Sequence, residues 1–348
     1  MPASPASVSA DPRGHPAVLV VSVNWLGDSI MAMPALQAWR RTHPGARLVL
    51  LVKPKLQALW SLHPAPDEVW ALPPGLPALL AMARAVRRAR FRTAYVLPHS
   101  FRSALPPFLA RVPERVGLPG HGRDWMLTRV AGPAAGAAGR HQALEYTALF
   151  GVPGAPEPPR LRLPPGLLAQ ADARLGSAPA GGWIALLPGA AYGPAKRWPA
   201  DRFGAAGRLL IERLGCRIVV LGAGEERALC ETAARGAGPG AVNLAGQTSL
   251  AELSAVLARC RAALTNDSGG MHVATAVGTP VAAVFGITDP VRTGPLGPAA
   301  VLQASARRSR DLPRDSREAR ESLARIAPGQ AAEAVLSLLA LPPGGRGA

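Results

Sequence analysis

Lysine is almost missing from this chain. Of its 39 lysine and arginine residues only Lys53, Lys55 and Lys196 are lysines, and acidic residues number 22 in 348. So large an arginine bias reflects in part a coding preference, and a share of the net charge of +17 belongs to solvated surface. The remainder suits an anionic partner. Aromatic residues are scarce too, at 5%, and no basic run is interleaved with them. Nucleic acid is therefore the weaker use of the charge, since strand binding needs stacking platforms along a basic groove. The three cysteines, Cys216, Cys230 and Cys260, lack metal-ligand spacing and read as reduced, mostly buried thiols. No segment offers about 18 uninterrupted apolar residues, which argues against a transmembrane helix. Residues 1–16 have no basic start followed by an apolar block. They read as a disordered tail on a cytoplasmic protein and not as a signal peptide.

What is present is apolar material for two cores. Hydrophobic residues make up 48% of the chain, and its 37 glycines and 37 prolines punctuate apolar segments without forming low-complexity tracts. Continuous apolar runs such as 17–23 suit buried parallel strands, and 47–52, 68–72 and 94–97 follow as further strands. Residues 76–90 form a helix with a basic face, and 140–150 another. Residues 151–165 (GVPGAPEPPRLRLPP) are the most linker-like stretch. Beyond it strands are expected at 183–187, 216–221, 262–264 and 280–285, alternating with helices at 200–214, 225–235 and 250–260. Residues 305–325 are charge-rich, an exposed loop and partial helix. Two βαβ-rich halves imply an α/β protein with two doubly wound domains facing a cleft, with ligands beyond the carboxyl ends of the strands.

Three segments carry chemistry. In Val23-Asn-Trp-Leu-Gly-Asp28-Ser29, Asp28 is either an N-cap or a general base that takes a proton from a hydroxyl. In Pro188–Pro199, Lys196 is the only lysine after residue 55. It is either a surface residue or a compact positive charge for a phosphate. Thr265-Asn-Asp-Ser-Gly-Gly-Met-His272 joins an apolar strand to a helix start, where unpaired N–H groups and a partial positive charge favour an anion. Ser268 can cap that helix, and Gly269 and Gly270 let a phosphate approach the backbone. His272 is either a phosphate donor or an interior histidine. Glu225 and Glu226, after Gly222-Ala-Gly224, either accept from a ribose or start an exposed helix.

Together with Leu97–Leu105 and Asn243-Leu-Ala-Gly246, these segments resemble the ADP-heptose:lipopolysaccharide heptosyltransferases of glycosyltransferase family 9, most of all the heptosyltransferase II type. The matching stretches run in family order and cover most of residues 17–290. The resemblance implies the GT-B architecture, two Rossmann-like doubly wound domains facing a central cleft. The division expected is 17–163 for the acceptor, 164–327 for the nucleotide sugar and a closing helix at 328–341. It implies an inverting, metal-independent transfer of L-glycero-D-manno-heptose from ADP-heptose to the lipopolysaccharide inner core, without a cofactor. By motif position Asp28 is the base, and Lys196 and Arg197 meet the donor phosphates. Asp267 and His272 lie near the donor sugar and phosphates, Ser268–Met271 cradle the diphosphate, and Glu225 approaches the ribose. Asn24, Trp25, Ser100 and Arg102 fall to the acceptor, an anionic lipid-linked oligosaccharide. Peripheral contact with the cytoplasmic membrane through 76–90 or 99–123 is an expectation from charge. His99, Gly270 and Gly286-Ile-Thr-Asp-Pro290 depart from the family pattern. The competing readings are a GT-B enzyme with another nucleotide-sugar donor and a non-catalytic nucleotide-binding α/β protein.

Overall fold

The structure is a computed structural model, describing residues 17–120, 122–132, 140–152, 154–191, 193–305 and 317–340. The tail expected over 1–16, and residues 306–316 of the charge-rich segment, lie outside these ranges. The chain divides into two compact units, residues 1–156 and 157–348.

In the first unit the strands are β1 (Ala17–Val21), β2 (Arg47–Val52), β3 (Glu68–Ala71), β4 (Thr93–Val96), β5 (Glu114–Gly117) and β6 (Arg129–Val130). They form one parallel sheet in the order β3-β2-β1-β4-β5-β6. Leu19, Val21, Val49, Leu51, Ala94 and Val96 supply one face of its core. The buried runs in β1 and β2 explain why these strands are central: only a strand covered on both faces can be apolar throughout.

The second unit contains β7 (Trp183–Leu187), β8 (Arg217–Val220), β9 (Ala241–Asn243), β10 (Cys260–Asn266), β11 (Val281–Phe285) and β12 (Ala299–Gln303). Its sheet is also parallel, in the order β12-β11-β10-β7-β8-β9. Counted from the first strand of each unit, the two orders are the same, 3-2-1-4-5-6, which is the dinucleotide-fold order. The helix Ala200–Leu214 buries Phe203, Ala206 and Leu210 against the sheet, and Gly215 ends it in the left-handed conformation. The closing helix runs Pro328–Ala340 and buries Ala331, Val335 and Leu338 in the same core.

Some elements differ from the sequence-based expectation. Helices Phe101–Leu109 and Pro165–Leu175 replace stretches with no assigned helix. The first contains Pro106 and Pro107, whose missing N–H groups and fixed φ mask its periodicity. In the second, Pro165 is the first helical residue, where a proline costs nothing, so it begins an element instead of extending a linker. The short strands β5, β6 and β9 carry too few residues for an alternation signal, and β12, as long as β1, is only partly buried and so is not a covered apolar run. All three cysteines are free and buried. Burial pushes the Cys216 thiol up to about 11 and the Cys230 thiol up to about 12, and raises Cys260 further. Among the described residues no helix is long and apolar enough to cross a membrane.

Candidate active site

In a sheet of this order ligands bind beyond the carboxyl ends of the strands where the order reverses. In the second unit those strands are β7 and β10. β7 leads into Pro188-Gly189-Ala190 and a single 3-10 turn, Pro194–Lys196. β10 leads into Asp267, Ser268 and the helix Gly269–Ala276. The Lys196 ammonium lies 2.6 Å from the Asp267 carboxylate, an ion pair that spans the switch point. The two side chains are 20% and 6% exposed, so the charges face a partly desolvated recess. A carboxylate that deeply buried needs a cation beside it, which gives the lone late lysine a structural reason to be there.

The loop that carries Lys196 is held from three sides. Trp198 donates its backbone N–H to Asn266 Oδ1 at 3.0 Å, and Asn266 Nδ2 donates to the Pro188 carbonyl at 2.7 Å. Asn266 is fully buried, so one amide clamps both ends of the loop. Arg197 Nε donates to the Ala190 carbonyl at 3.0 Å, closing the loop on itself. Ala195 packs with Ile287 and Ala319, which anchors the turn on the Gly286–Pro290 loop and the helix Arg317–Leu323. Trp198 is buried, and its indole N–H reaches the Ile326 carbonyl at 3.1 Å.

At the helix start, Ser268 holds the N-cap position with a nearly extended backbone (φ −147°, ψ 168°), but its side chain makes no capping bond. That corrects the expected cap: the backbone is extended, as is usual at an N-cap, but the Ser268 hydroxyl makes no bond to the N–H groups of the first turn. Gly270 has no room for a Cβ because Leu187 fills the space, so close packing accounts for this glycine. Met271 and His272 are buried, so the part of this turn that meets solvent is Ser268, Gly269 and Gly270. Beyond β8, Glu226 folds back to accept the Ala223 N–H at 2.9 Å, and its carboxylate occupies the space a Cβ on Gly189 would need. Glu225 stands exposed beside it.

In the first unit the reversal lies between β1 and β4. The helix after β1 runs Leu26–Thr42 with Trp25 at its N-cap, and Ser29 donates its N–H to the Trp25 carbonyl at 2.9 Å. Asp28 is thus in the first helical turn and not the cap, because Leu26 and Gly27 already take helical conformation. A carboxylate there is favoured by the helix dipole. It stands near the buried Tyr146, whose hydroxyl is pushed up chiefly by burial and then by the Asp28 charge. Trp25 is exposed, with Lys55 Nζ 5.6 Å over its ring, and Asn24 is half-buried next to it. After β4, Ser100 is the N-cap of Phe101–Leu109, again without a side-chain cap. The exposed Arg102 donates to the Gly75 carbonyl at 3.3 Å.

Comparison with known proteins bears on this arrangement. The family model for glycosyltransferase family 9 (heptosyltransferase) matches residues 79–322. Lipopolysaccharide heptosyltransferase 2 of Escherichia coli K12 is 31% identical over 310 residues, covering 80% of this chain and 85% of that protein. The chain belongs to glycosyltransferase family 9. Lipooligosaccharide heptosyltransferase 2 of Haemophilus ducreyi is likewise 31% identical, over 82% of this chain and 87% of its own length. Among solved structures, E. coli ADP-heptose lps heptosyltransferase II superposes with a TM-score of 0.81 at 27% identity, covering 93% of this chain and 98% of that one. A family 9 glycosyltransferase of Veillonella parvula has a TM-score of 0.80 at 23% identity over 93% and 97% of the two chains. The fold is therefore GT-B and the protein a glycosyltransferase.

For a family 9 enzyme the sequence-based site list splits in two. Lys196 and Asp267 are paired, with Arg197 and Ser268 on the same two loops. Glu225 sits exposed past the neighbouring strand β8, whereas Glu226 packs into the Gly189 loop. Asn266 stands outside the residues that sequence reasoning singles out; its signal is a buried amide at the end of a strand with an apolar centre, which must find partners. Among the described residues no group of three or more His, Cys, Asp or Glu side chains is arranged to hold a metal ion.

Proposed function

We propose that this protein transfers L-glycero-D-manno-heptose from ADP-heptose to the inner core of lipopolysaccharide, with inversion at the anomeric carbon. The identity of about a third with heptosyltransferases 2 over most of both chains supports the substrate class. The observation that carries the chemistry is the Lys196–Asp267 pair across the β7/β10 switch point, beside an uncapped helix start.

In the proposed step Asp28 accepts the proton of an acceptor hydroxyl as that oxygen bonds to the anomeric carbon. The bond from that carbon to the diphosphate breaks, and its electron pair leaves with ADP. Attack from the face opposite the leaving group needs one base, so a single carboxylate suffices. The charge gathering on ADP is met by Lys196, Arg197 and the N–H groups of Gly269 and Gly270, groups fixed before the reaction begins. Asp267 keeps the ammonium in place until the diphosphate arrives. Glu225 is the candidate for the ribose, and His272 supports the cradle from within. Asn24, Trp25, Ser100 and Arg102 would hold an anionic, lipid-linked oligosaccharide acceptor at the cytoplasmic face of the membrane. No metal is assigned a part in the step.

The test is ADP release from ADP-heptose with and without a truncated core acceptor, in chelator, beside parallel ADP-, GDP- and UDP-sugars. Acceptor-dependent release from ADP-heptose that survives the chelator is expected. Release from a GDP- or UDP-sugar alone would replace the donor, and acceptor-independent release would remove the transferase reading.

A further inference from the structure

Between Glu68 and Glu114 the chain has no acidic residue, yet it carries seven arginines there. The fold collects the apolar part of this stretch at the carboxyl edge of the first sheet. β3 leads into the helix Leu76–Arg88, which buries Leu79, Ala83 and Val86. Its opposite stripe, at four-residue spacing, is Leu76, Leu80, Arg84 and Arg88, all exposed. β4 leads into Phe101–Leu109, and the bond from Arg102 to the Gly75 carbonyl ties the starts of the two helices together. β5 leads towards Trp125, whose ring packs edge-on against Phe108 at 5.0 Å between centroids and lies 6.3 Å from Phe101. Leu76 is 66% exposed, Trp125 63% and Phe101 43%. One edge thus displays aliphatic and aromatic tips with arginines behind them.

We propose that this edge docks the enzyme on an anionic phospholipid bilayer, with Leu76, Leu80, Phe101 and Trp125 entering the interface. The distances suit that occupant. At 1.5 Å rise per residue, Arg84 and Arg88 lie about 12 and about 18 Å behind Leu76 along the helix. Tips that sink about 5–10 Å bring Arg84 to the phosphate layer and Arg88 within roughly a Debye length of it. Trp at the headgroup level keeps its ring in the apolar layer and its N–H in the polar one. A second copy of the chain would oppose arginine to arginine across the same face, where the exposed Asp124 beside Trp125 already accepts the Gly120 N–H and offsets little of that charge. Nucleic acid would leave the two leucines without a role. The inference rests on the proposed function in one respect: a lipid-linked acceptor is met at a bilayer, and the docking edge is the same strand edge that carries Asp28.

Docking is tested without donor or acceptor, by co-sedimentation with vesicles of phosphatidylcholine alone or with about 30% phosphatidylglycerol. The wild-type chain is expected to bind the anionic vesicles about tenfold or more better than the neutral ones. The double variant Leu76→Ser/Trp125→Ser should lose about tenfold in that binding, and Arg84→Gln/Arg87→Gln/Arg88→Gln should abolish the preference for anionic vesicles. Both sets change exposed side chains, and a thermal melt checks that the fold survives. Wild type left in the supernatant with anionic vesicles would overturn the proposal, as would variants that sediment like wild type. A dimer in light scattering that the double variant breaks, without vesicle binding by either, would also overturn it and give the face to a second copy. Transfer to a delipidated acceptor in solution should be unchanged in both variants. A chain that docks yet transfers no sugar to any acceptor would sink the heptosyltransferase reading and leave the docking surface standing.

Discussion

The two units have sheets of one topology, 3-2-1-4-5-6, but opposite kinds of carboxyl edge. In the second unit the edge is knit from within: a buried amide bridges Pro188 and Trp198, an ion pair joins two loops, and Met271 and His272 are withdrawn into the core. In the first unit the edge is open, with Trp25, Phe101 and Trp125 exposed and Lys53, Lys55 and Arg102 standing in solvent. A nucleotide diphosphate is small and always the same, so a preformed recess loses little entropy on binding it and stabilises charge without reorganising. A large oligosaccharide brought by a lipid needs a surface it can settle on. Under the proposed function the shared topology would set where donor and acceptor bind, and the loops how rigidly each is held.

Substitutions at each edge sharpen or break that contrast. The largest effect is expected at the open edge. Asp28→Asn should lower transfer by about 10²–10⁴-fold while ADP affinity stays within a few-fold, measured by turnover and by calorimetric ADP binding. Turnover like wild type would remove Asp28 from the mechanism. At the knit edge, Lys196→Met should cost about 10²-fold in kcat and weaken ADP binding too, because in the proposed step this ammonium meets both donor and leaving group. If only kcat fell, the recess would not be a ground-state site for the diphosphate.

Asn266→Leu probes rigidity. It orphans the Pro188 carbonyl and the Trp198 N–H, at about 1–3 kcal/mol for each buried group left unpaired, and should lower the melting temperature and ADP affinity together. An unchanged affinity in a folded variant would mean that the Lys196 loop organises itself. The smallest effect is expected away from both edges, at the capping box Ser249–Glu252, where Glu252 accepts the Ser249 N–H at 2.8 Å and pairs with Arg174 at 2.6 Å. The backbone bond to Ser249, then the Arg174 bond, holds the Glu252 carboxyl below the usual carboxylate range. Its folded pKa is depressed, so its contribution is full above about pH 5, where the unfolded carboxyl is also ionised, and is lost as pH falls through the folded value. Glu252→Gln keeps the capping-box acceptor and removes the charge, so it should cost about 0.5 kcal/mol at neutral pH and progressively less in acid, read from urea midpoints against pH. A constant difference would assign the loss to packing.

The sequence by itself determined more of the fold than of the site. The apolar runs of β1, β2, β7 and β11, short and set between turn residues, favour covered strands, and their alternation with helical periods favours parallel sheets. The loops after β7 and β10 stood out because a lone lysine in an arginine-rich chain and a glycine-rich turn after a buried strand suit an anion, whereas the proposed roles of Asp28 and Asp267 come from the family resemblance. Local pattern could not say that Asp28 belongs inside the first helical turn, that Ser268 leaves its helix uncapped, or that Asn266 is a clamp. Each depends on a partner or a neighbouring backbone conformation far from any window of sequence: Asn266 bonds across 78 and 68 residues to Pro188 and Trp198. Buried polar groups must pair somewhere, but only the folded sheet decides with whom.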